Sequence, residues 1–299
     1  MSAAIALRAA RDIWYSNVFV TLPYPESIEG IEKQTIIVTG ANGGLGYHAS
    51  QHLLRIGVGK LIMAVRRVDQ GEEARESLLE TTNREASAVE VWELDLCNYN
   101  SVERFAKRAV ETLPRLDAVL ANAAVCTSNF TLDEGTERSI TVNVISQCLL
   151  LLLLLPKLRE APSTPRFSIV SSKVHYMVNV SHLQAEGKGN ETLIDQLSNP
   201  KKAQMGNRYF LSKLLALYAT RGLADALSAS RKRQIVVNAP NPSYCRSGLE
   251  REDGALGVRI KQALLAARTP DMGSRPLVHA VLAGKETHGQ FLNDCHVEV

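Results

Sequence analysis

The chain has 299 residues, 45% hydrophobic and 22% charged, which excludes a disordered or low-complexity chain and leaves room for one large domain. Its 34 Lys and Arg against 31 Asp and Glu give a net charge of +3, too close to balance to make nucleic acid an expected partner. The five cysteines (Cys97, Cys126, Cys148, Cys245, Cys295) are scattered, so we expect neither a disulfide framework nor a metal site, and a reducing, cytoplasmic compartment fits.

Residues 1–30 read as an N-terminal extension on the surface. Arg8 and Arg11 interrupt its apolar residues, so no secretory signal is expected. From residue 31 the chain alternates. Short apolar runs predict strands at 35–38, 61–65, 89–94, 116–121, 166–170 and 234–238. Helical patterns fall between them at 45–56, 70–81, 101–112, 136–155 and 209–229. Runs with little polar alternation suit strands covered on both faces. The order predicts a single α/β domain over 31–299: a doubly wound Rossmann fold, with a mostly parallel sheet and helices on both faces. Seven leucines at 149–155, ended by Pro156, fall short of the roughly 20 residues a membrane span needs. They read as a buried helix, and no transmembrane segment is expected. Segments 173–207 and 243–270 break the rhythm. They leave the carboxyl ends of strands, where open α/β sheets bind ligands, and are expected to be substrate loops.

The first strand runs into Thr39-Gly40-Ala41-Asn42-Gly43-Gly44-Leu45-Gly46, and a helix follows. Glycines let backbone approach a diphosphate, and the free N–H groups of the helix start meet its charge. Gly40, Asn42, Gly44, Leu45 and Gly46 are therefore candidate cofactor contacts; a tight turn without ligand is the plain alternative. The second strand ends in Arg66-Arg67, where a fold that selects NAD usually carries Asp or Glu. A guanidinium there favours a 2′-phosphate, which predicts NADP(H); two solvated arginines are the alternative. Asp95 and Leu96, after the third strand, are candidates for holding the adenine amino group.

Tyr209-Phe210-Leu211-Ser212-Lys213 opens a long helical pattern. Residues four apart share a helix face, so phenol and ammonium can enter one cleft. A free Tyr, with a pKa of roughly 10, is a poor base, and a neighbouring cation lowers that value. Such a Tyr can exchange a proton with an alcohol or ketone oxygen. The spacing is common on helix surfaces and gains meaning from its company: Ser171-Ser172 after the fifth strand, Asn122-Ala123-Ala124 after the fourth, and Asn143 in an otherwise apolar helix.

With these residues in order, the chain resembles the short-chain dehydrogenase/reductase family. TGANGGLG matches the family's TGxxxGxG, ANAA stands where it has NNAG, and YFLSK matches YxxSK. The long gap between Ser172 and Tyr209 is similar to the retinol-dehydrogenase-like branch. VEVWELDL, TVNVIS, RYFLSKLL and HGQFLNDC are similar to fungal reductases of secondary metabolism. The resemblance implies a catalytic tetrad of Asn143, Ser172, Tyr209 and Lys213. Tyr209 is the implied acid or base, and Lys213 lowers its pKa and bonds the nicotinamide ribose. Ser172 orients the substrate oxygen, Asn143 holds a relay water, and Asn122 and Ala123 border the adenosine ribose. Asn-Pro-Ser at 241–243 departs from the family's Asn-Pro-Gly, so Ser243 is expected either to be strained or to contact the carboxamide. Ser247 fills a downstream position near the diphosphate or carboxamide.

The expected activity is NADP(H)-dependent reduction of a ketone in a small, largely apolar polyketide- or terpenoid-like metabolite. The alternatives are oxidation of a secondary alcohol, reduction of an activated double bond, and a non-catalytic NADP-binding sensor. Val174, Tyr176, Met177, Met205, Tyr244, Leu249 and 125–130 are candidates for the pocket wall. His175, close to Ser172 in sequence, reads as a surface histidine, with contact to a substrate oxygen as the alternative. The resemblance suggests a homo-oligomer through the long helices.

Overall fold

The computed structural model describes residues 3–179, 192–246, 248–250 and 255–298. The elements run α1 (Ala3–Phe19), β1 (Thr35–Thr39), α2 (Gly44–Arg55), β2 (Lys60–Val65), α3 (Val68–Thr82), β3 (Val89–Glu93), α4 (Tyr99–Thr112) and β4 (Ala118–Ala121). A small hairpin, β5 (Leu132–Asp133) and β6 (Thr136–Glu137), leads into α5 (Arg138–Ile140), a π turn (Thr141–Ile145) and α6 (Ser146–Glu160). Then come β7 (Arg166–Ile169), α7 (Leu193–Leu197), α8 (Met205–Ala229), β8 (Val236–Asn241), α9 (Ala255–Leu264), α10 (Pro270–Leu282), β9 (Phe291–Asn293) and β10 (His296–Val297).

The main sheet has the order β10-β9-β8-β7-β4-β1-β2-β3. Every pairing is parallel except β9 with β10. The chain winds from β1 outward to β3, then crosses to β4 on the other side of β1. That reversal opens a crevice at the carboxyl ends of β1 and β4. The strands carry apolar side chains on both faces, and period-two alternation sorts them into two cores. Ile36, Val38, Leu61 and Met63 pack with Leu53 of α2, Leu78 of α3 and Leu277 of α10. Ile37, Ile62, Val119 and Phe167 pack with Phe105 of α4, Leu154 of α6 and Ala216 of α8. The doubly wound architecture expected from the order of elements is the one observed.

The expected helix over 136–155 is corrected in detail. It starts as β6 and α5, widens into the π turn, and continues through Pro156 to Glu160. The carbonyl that Pro156 leaves without its helical donor belongs to Leu152, a half-exposed residue whose backbone water can reach. By length and composition the stretch Arg138–Glu160 could cross a bilayer. Here Leu150, Leu151, Leu154 and Leu158 are buried against the sheet, which makes it a core helix. Among elements the sequence did not suggest are α1, α10 and the strand pair β9–β10.

Candidate active site

The glycine-rich turn sits at the switch point. Gly40 has φ 65° and Gly44 φ 54°, a left-handed region that glycine enters without a Cβ penalty. A Cβ on Gly46 would strike the Gly40 carbonyl and lie 2.7 Å from Asn122 Nδ2, so only glycine allows α2 to start this close to β1. A Cβ on Gly44 would meet nothing within 4 Å. The turn is thus packed from beneath and open above, at the N-terminus of α2. A diphosphate fits such a cradle. Neighbouring strands brace it: Asn122 Nδ2 donates to the Thr39 carbonyl at 2.9 Å, and the Ala123 N–H donates to Thr39 Oγ1 at 2.9 Å. Asn42 Nδ2 donates to Gln70 Oε1 of α3 at 3.4 Å, and Leu45 packs on the core in the first turn of α2.

Around the adenosine side, Arg66 is exposed one residue beyond β2. Asp95 accepts from the Cys97 N–H at 2.9 Å, and its own N–H donates to Ser101 Oγ at 3.0 Å. Leu96 buries its side chain in the core and its carbonyl accepts from Ser146 Oγ at 2.6 Å, so any contact it makes with a ligand falls to its backbone N–H. Ser247 lies outside the described residues.

The four tetrad candidates converge at the carboxyl ends of β4 and β7 and the first turns of α8. Asn143 lies in the π turn and is buried. Its Oδ1 accepts from the Val125 N–H at 2.8 Å, and its Nδ2 donates to the Val125 carbonyl at 2.9 Å and to Ser212 Oγ at 3.0 Å. Ser212 Oγ donates in turn to the Tyr209 carbonyl at 2.7 Å. Asn143 is therefore locked to the helix turn that carries Tyr209. This asparagine is the middle residue of the π turn, a feature frequent at functional sites. Lys213 is 3% exposed; its Nζ donates to the Val170 carbonyl at 2.7 Å and stands 5.6 Å from the Tyr209 ring centroid. Burial pushes its pKa down to about 8, since a desolvated ammonium is disfavoured. Ser171 Oγ donates to the Lys213 carbonyl at 3.1 Å, fixing α8 to β7. Ser172 caps the turn Lys173–Met177 and remains partly exposed.

Of three further features, only Ser243 was anticipated in sequence. Asn241 is fully buried; its Oδ1 accepts from the Lys173 N–H and the Ser243 N–H, each at 3.1 Å, and its Nδ2 donates to Asn293 Oδ1 at 2.8 Å. It couples the loops leaving β7 and β8. Ser243 has φ 64° and a buried hydroxyl with no partner. Both halves of the expectation for this position acquire a basis: the backbone is strained, and a polar group is free to meet a ligand. Glu137 and Arg208, one residue before Tyr209, form a buried pair at 3.5 Å. Burial lowers the Arg208 pKa and the Glu137 charge opposes that shift. A helix read as starting at Tyr209 hid this arginine, since α8 starts at Met205.

His175 is a correction. Read as a surface residue, it is buried; its ring stacks 4.1 Å from Tyr176 and meets Phe291 edge-on at 4.8 Å. Nδ1 lies 2.6 Å from the Ser172 carbonyl, and burial lowers its pKa. Phe291 belongs to the unforeseen strand β9, which is why the covering was invisible in sequence. Among the pocket candidates, Val125 is also drawn into the core and Tyr176 is exposed. Val174, Met177, Met205, Tyr244 and Leu249 are partly exposed. Part of each proposed substrate loop lies outside the described residues.

Comparison with known proteins finds similarity in sequence and in fold over most of the chain. A family model described as short chain dehydrogenase matches residues 34–181. The short chain dehydrogenase/reductase dmxR8 of Cryptosporiopsis sp. is 38% identical over 288 residues, covering 95% of this chain and 87% of that protein. The short chain dehydrogenase atnD of Emericella nidulans is 39% identical over 290 residues, covering 94% and 90%. Among solved structures, the RhlG/NADP active-site complex of Pseudomonas aeruginosa is similar in fold. Its TM-score is 0.64 at 22% identity, over 91% of this chain and 97% of that one.

Proposed function

The chain belongs to the short-chain dehydrogenase family and is an oxidoreductase; from that premise we propose that it uses NADP(H) to reduce a ketone of a small apolar metabolite, polyketide- or terpenoid-like, in fungal secondary metabolism. When bound, the nicotinamide supplies the hydride. The chain's own residues bind, orient and move the proton. Gly40, Gly44 and Gly46 with the N-terminus of α2 would hold the diphosphate, and Arg66 a 2′-phosphate. Asp95, Asn122 and Ala123 would border the adenosine, and Ser243 would lie at the nicotinamide edge.

In this reading Ser172 donates to the substrate carbonyl oxygen and Tyr209 delivers its phenol proton to that oxygen as it becomes alkoxide. Protonated Lys213, one helical turn from Tyr209, stabilises the phenolate left behind. Asn143 keeps that turn in register through Ser212 and can hold the water that returns a proton. Holding these groups in place before substrate arrives is itself a large part of the rate. The observation that carries the proposal is the buried Lys213 ammonium 5.6 Å from the Tyr209 ring, on a helix tied to both Asn143 and the end of β7. We place the enzyme in the cytoplasm, where NADPH is kept reduced. The exposed Leu152 of α6 and Tyr218 of α8 support self-association through those helices.

The test is NADPH consumption, followed at its absorbance, with a panel of cyclic and aromatic ketones that includes 1-decalone. Tyr209→Phe should reduce turnover by about 10²- to 10⁴-fold while NADPH affinity changes less than about threefold, within the range of a lost weak contact. Near-normal turnover in that variant would refute the assignment.

A further inference from the structure

The N-terminal segment does not lie idle on the surface. Ile13 and Ser16 of α1 are buried, and α1 packs on the turn Lys173–Met177 that follows Ser172. Ser16 Oγ donates to the carboxylate of Asp294 at 2.6 Å. Arg268, buried at 3%, donates through Nη2 to the Ser16 carbonyl at 2.8 Å and pairs with Asp294 at 2.9 Å. Asn17 Nδ2 donates to the Tyr244 carbonyl at 3.1 Å and to the Leu265 carbonyl at 3.0 Å. The chain beyond α1 is held as well: Arg275 Nη1 donates to the Leu22 carbonyl at 2.8 Å, and its guanidinium stacks 3.6 Å from the Tyr24 ring centroid.

From Asp294 the network continues inward. Asn293 Nδ2 donates to Asp294 Oδ2 at 3.1 Å, and Asn241 Nδ2 donates to Asn293 Oδ1 at 2.8 Å. Asn241 Oδ1 then receives the N–H groups of Lys173 and Ser243. An unbroken chain of buried or half-buried hydrogen bonds thus joins α1 to the residue after Ser172 and to the strained Ser243. A connected network of this kind fixes geometry because each broken member leaves a buried partner exposed to the full cost of desolvation.

We propose that residues 3–24 are a positioning element for the substrate side of the site. They act through Asp294, Asn293 and Asn241 to set the two loops that leave β7 and β8, and they leave the diphosphate turn untouched. The inference rests on the proposed function in one respect only, that these loops border substrate.

The test is hydrogen exchange on the full chain, comparing wild type with Ser16→Ala/Asn17→Ala. Amides of peptides covering 171–177 and 242–246 should exchange about tenfold faster, the scale set by losing one or two net hydrogen bonds. Peptides covering 38–46 should not change. If protection is lost within α1 alone, or uniformly across the chain, the proposal is overturned. Should the double variant fold poorly, Asn17→Ala alone keeps the Ser16–Arg268–Asp294 knot and carries the same expectation for 242–246. A kinetic readout follows: KM for a ketone reduced by the wild type should rise with NADPH affinity unchanged. Because exchange is read without substrate, its outcome is independent of whether any ketone is turned over.

Discussion

Ser243 concentrates the conflict between fold and function at one residue. An L residue in the left-handed region costs about 1–2 kcal/mol, and Ser243 sits there at φ 64°. A buried hydroxyl without a partner costs about 1–3 kcal/mol more. Ser243→Gly removes both and adds about 0.5–1 kcal/mol of chain entropy to the unfolded state. The net is a stabilisation of about 2 kcal/mol, or a rise in Tm of about 3 °C for a chain of this size. Ser243→Ala keeps the backbone strain and removes only the hydroxyl, so its rise should be smaller; the difference between the variants measures the strain less the entropy cost of glycine. Thermal unfolding of the cofactor-free protein reads both. Titration with NADPH reads the opposite effect. If the hydroxyl is reserved for the carboxamide, either variant should bind about 5- to 10-fold more weakly, the value of one hydrogen bond. A Tm that falls in Ser243→Gly would sink the strain argument. A Tm that rises with affinity unchanged would keep the strain and remove the ligand role.

Gly46→Ala should cost about 2–3 kcal/mol of stability and much of the NADPH affinity. The new methyl group meets the Gly40 backbone and Asn122, neither of which can yield cheaply; chemical denaturation and NADPH titration check it. Lys213 gives a pH signature. Its folded pKa of about 8 lies below the ordinary 10.5, so between those values the unfolded chain binds a proton that the folded chain does not. Stability should therefore rise with pH across that window, and the burial penalty should be fully present below pH about 8. Relative to Lys213→Met, the wild type should gain about 3 kcal/mol from pH 7.5 to 10.5, read from denaturant midpoints; a flat difference would contradict the buried ammonium. Arg66→Ala should weaken NADPH about tenfold or more by losing charge-assisted bonds to the 2′-phosphate, with NADH unaffected. Equal effects on the two cofactors would remove Arg66 from that role.

Much of the site could be read from residue order because its parts obey local rules. Glycines at 40, 44 and 46 sit where a strand hands over to a helix, and Tyr209 and Lys213 lie four apart on one face of α8. What escaped was non-local. Leu96 follows a strand like a ligand contact, and only its packing with Phe105 of α4 shows that its side chain belongs to the core. His175 is polar and lies in a loop, yet Phe291, 116 positions later in the chain, covers it. The strand carrying Phe291 spans three residues, too short to leave a periodic signal.

The sequence by itself determined the alternation of strands and helices, the glycine-rich turn and the placing of Tyr209 and Lys213 on one helix face, since propensity, glycine backbone freedom and helical periodicity act over a few residues. Only the tertiary structure decided that Asn143 reaches Ser212, that Asn241 joins two loops, that Glu137 stands against Arg208, and that α1 is tied to the loops leaving β7 and β8. Those bonds join residues as far apart as Ser16 and Asp294. Their partners are chosen by how the sheet and its covering helices pack, and no short window of sequence contains both ends.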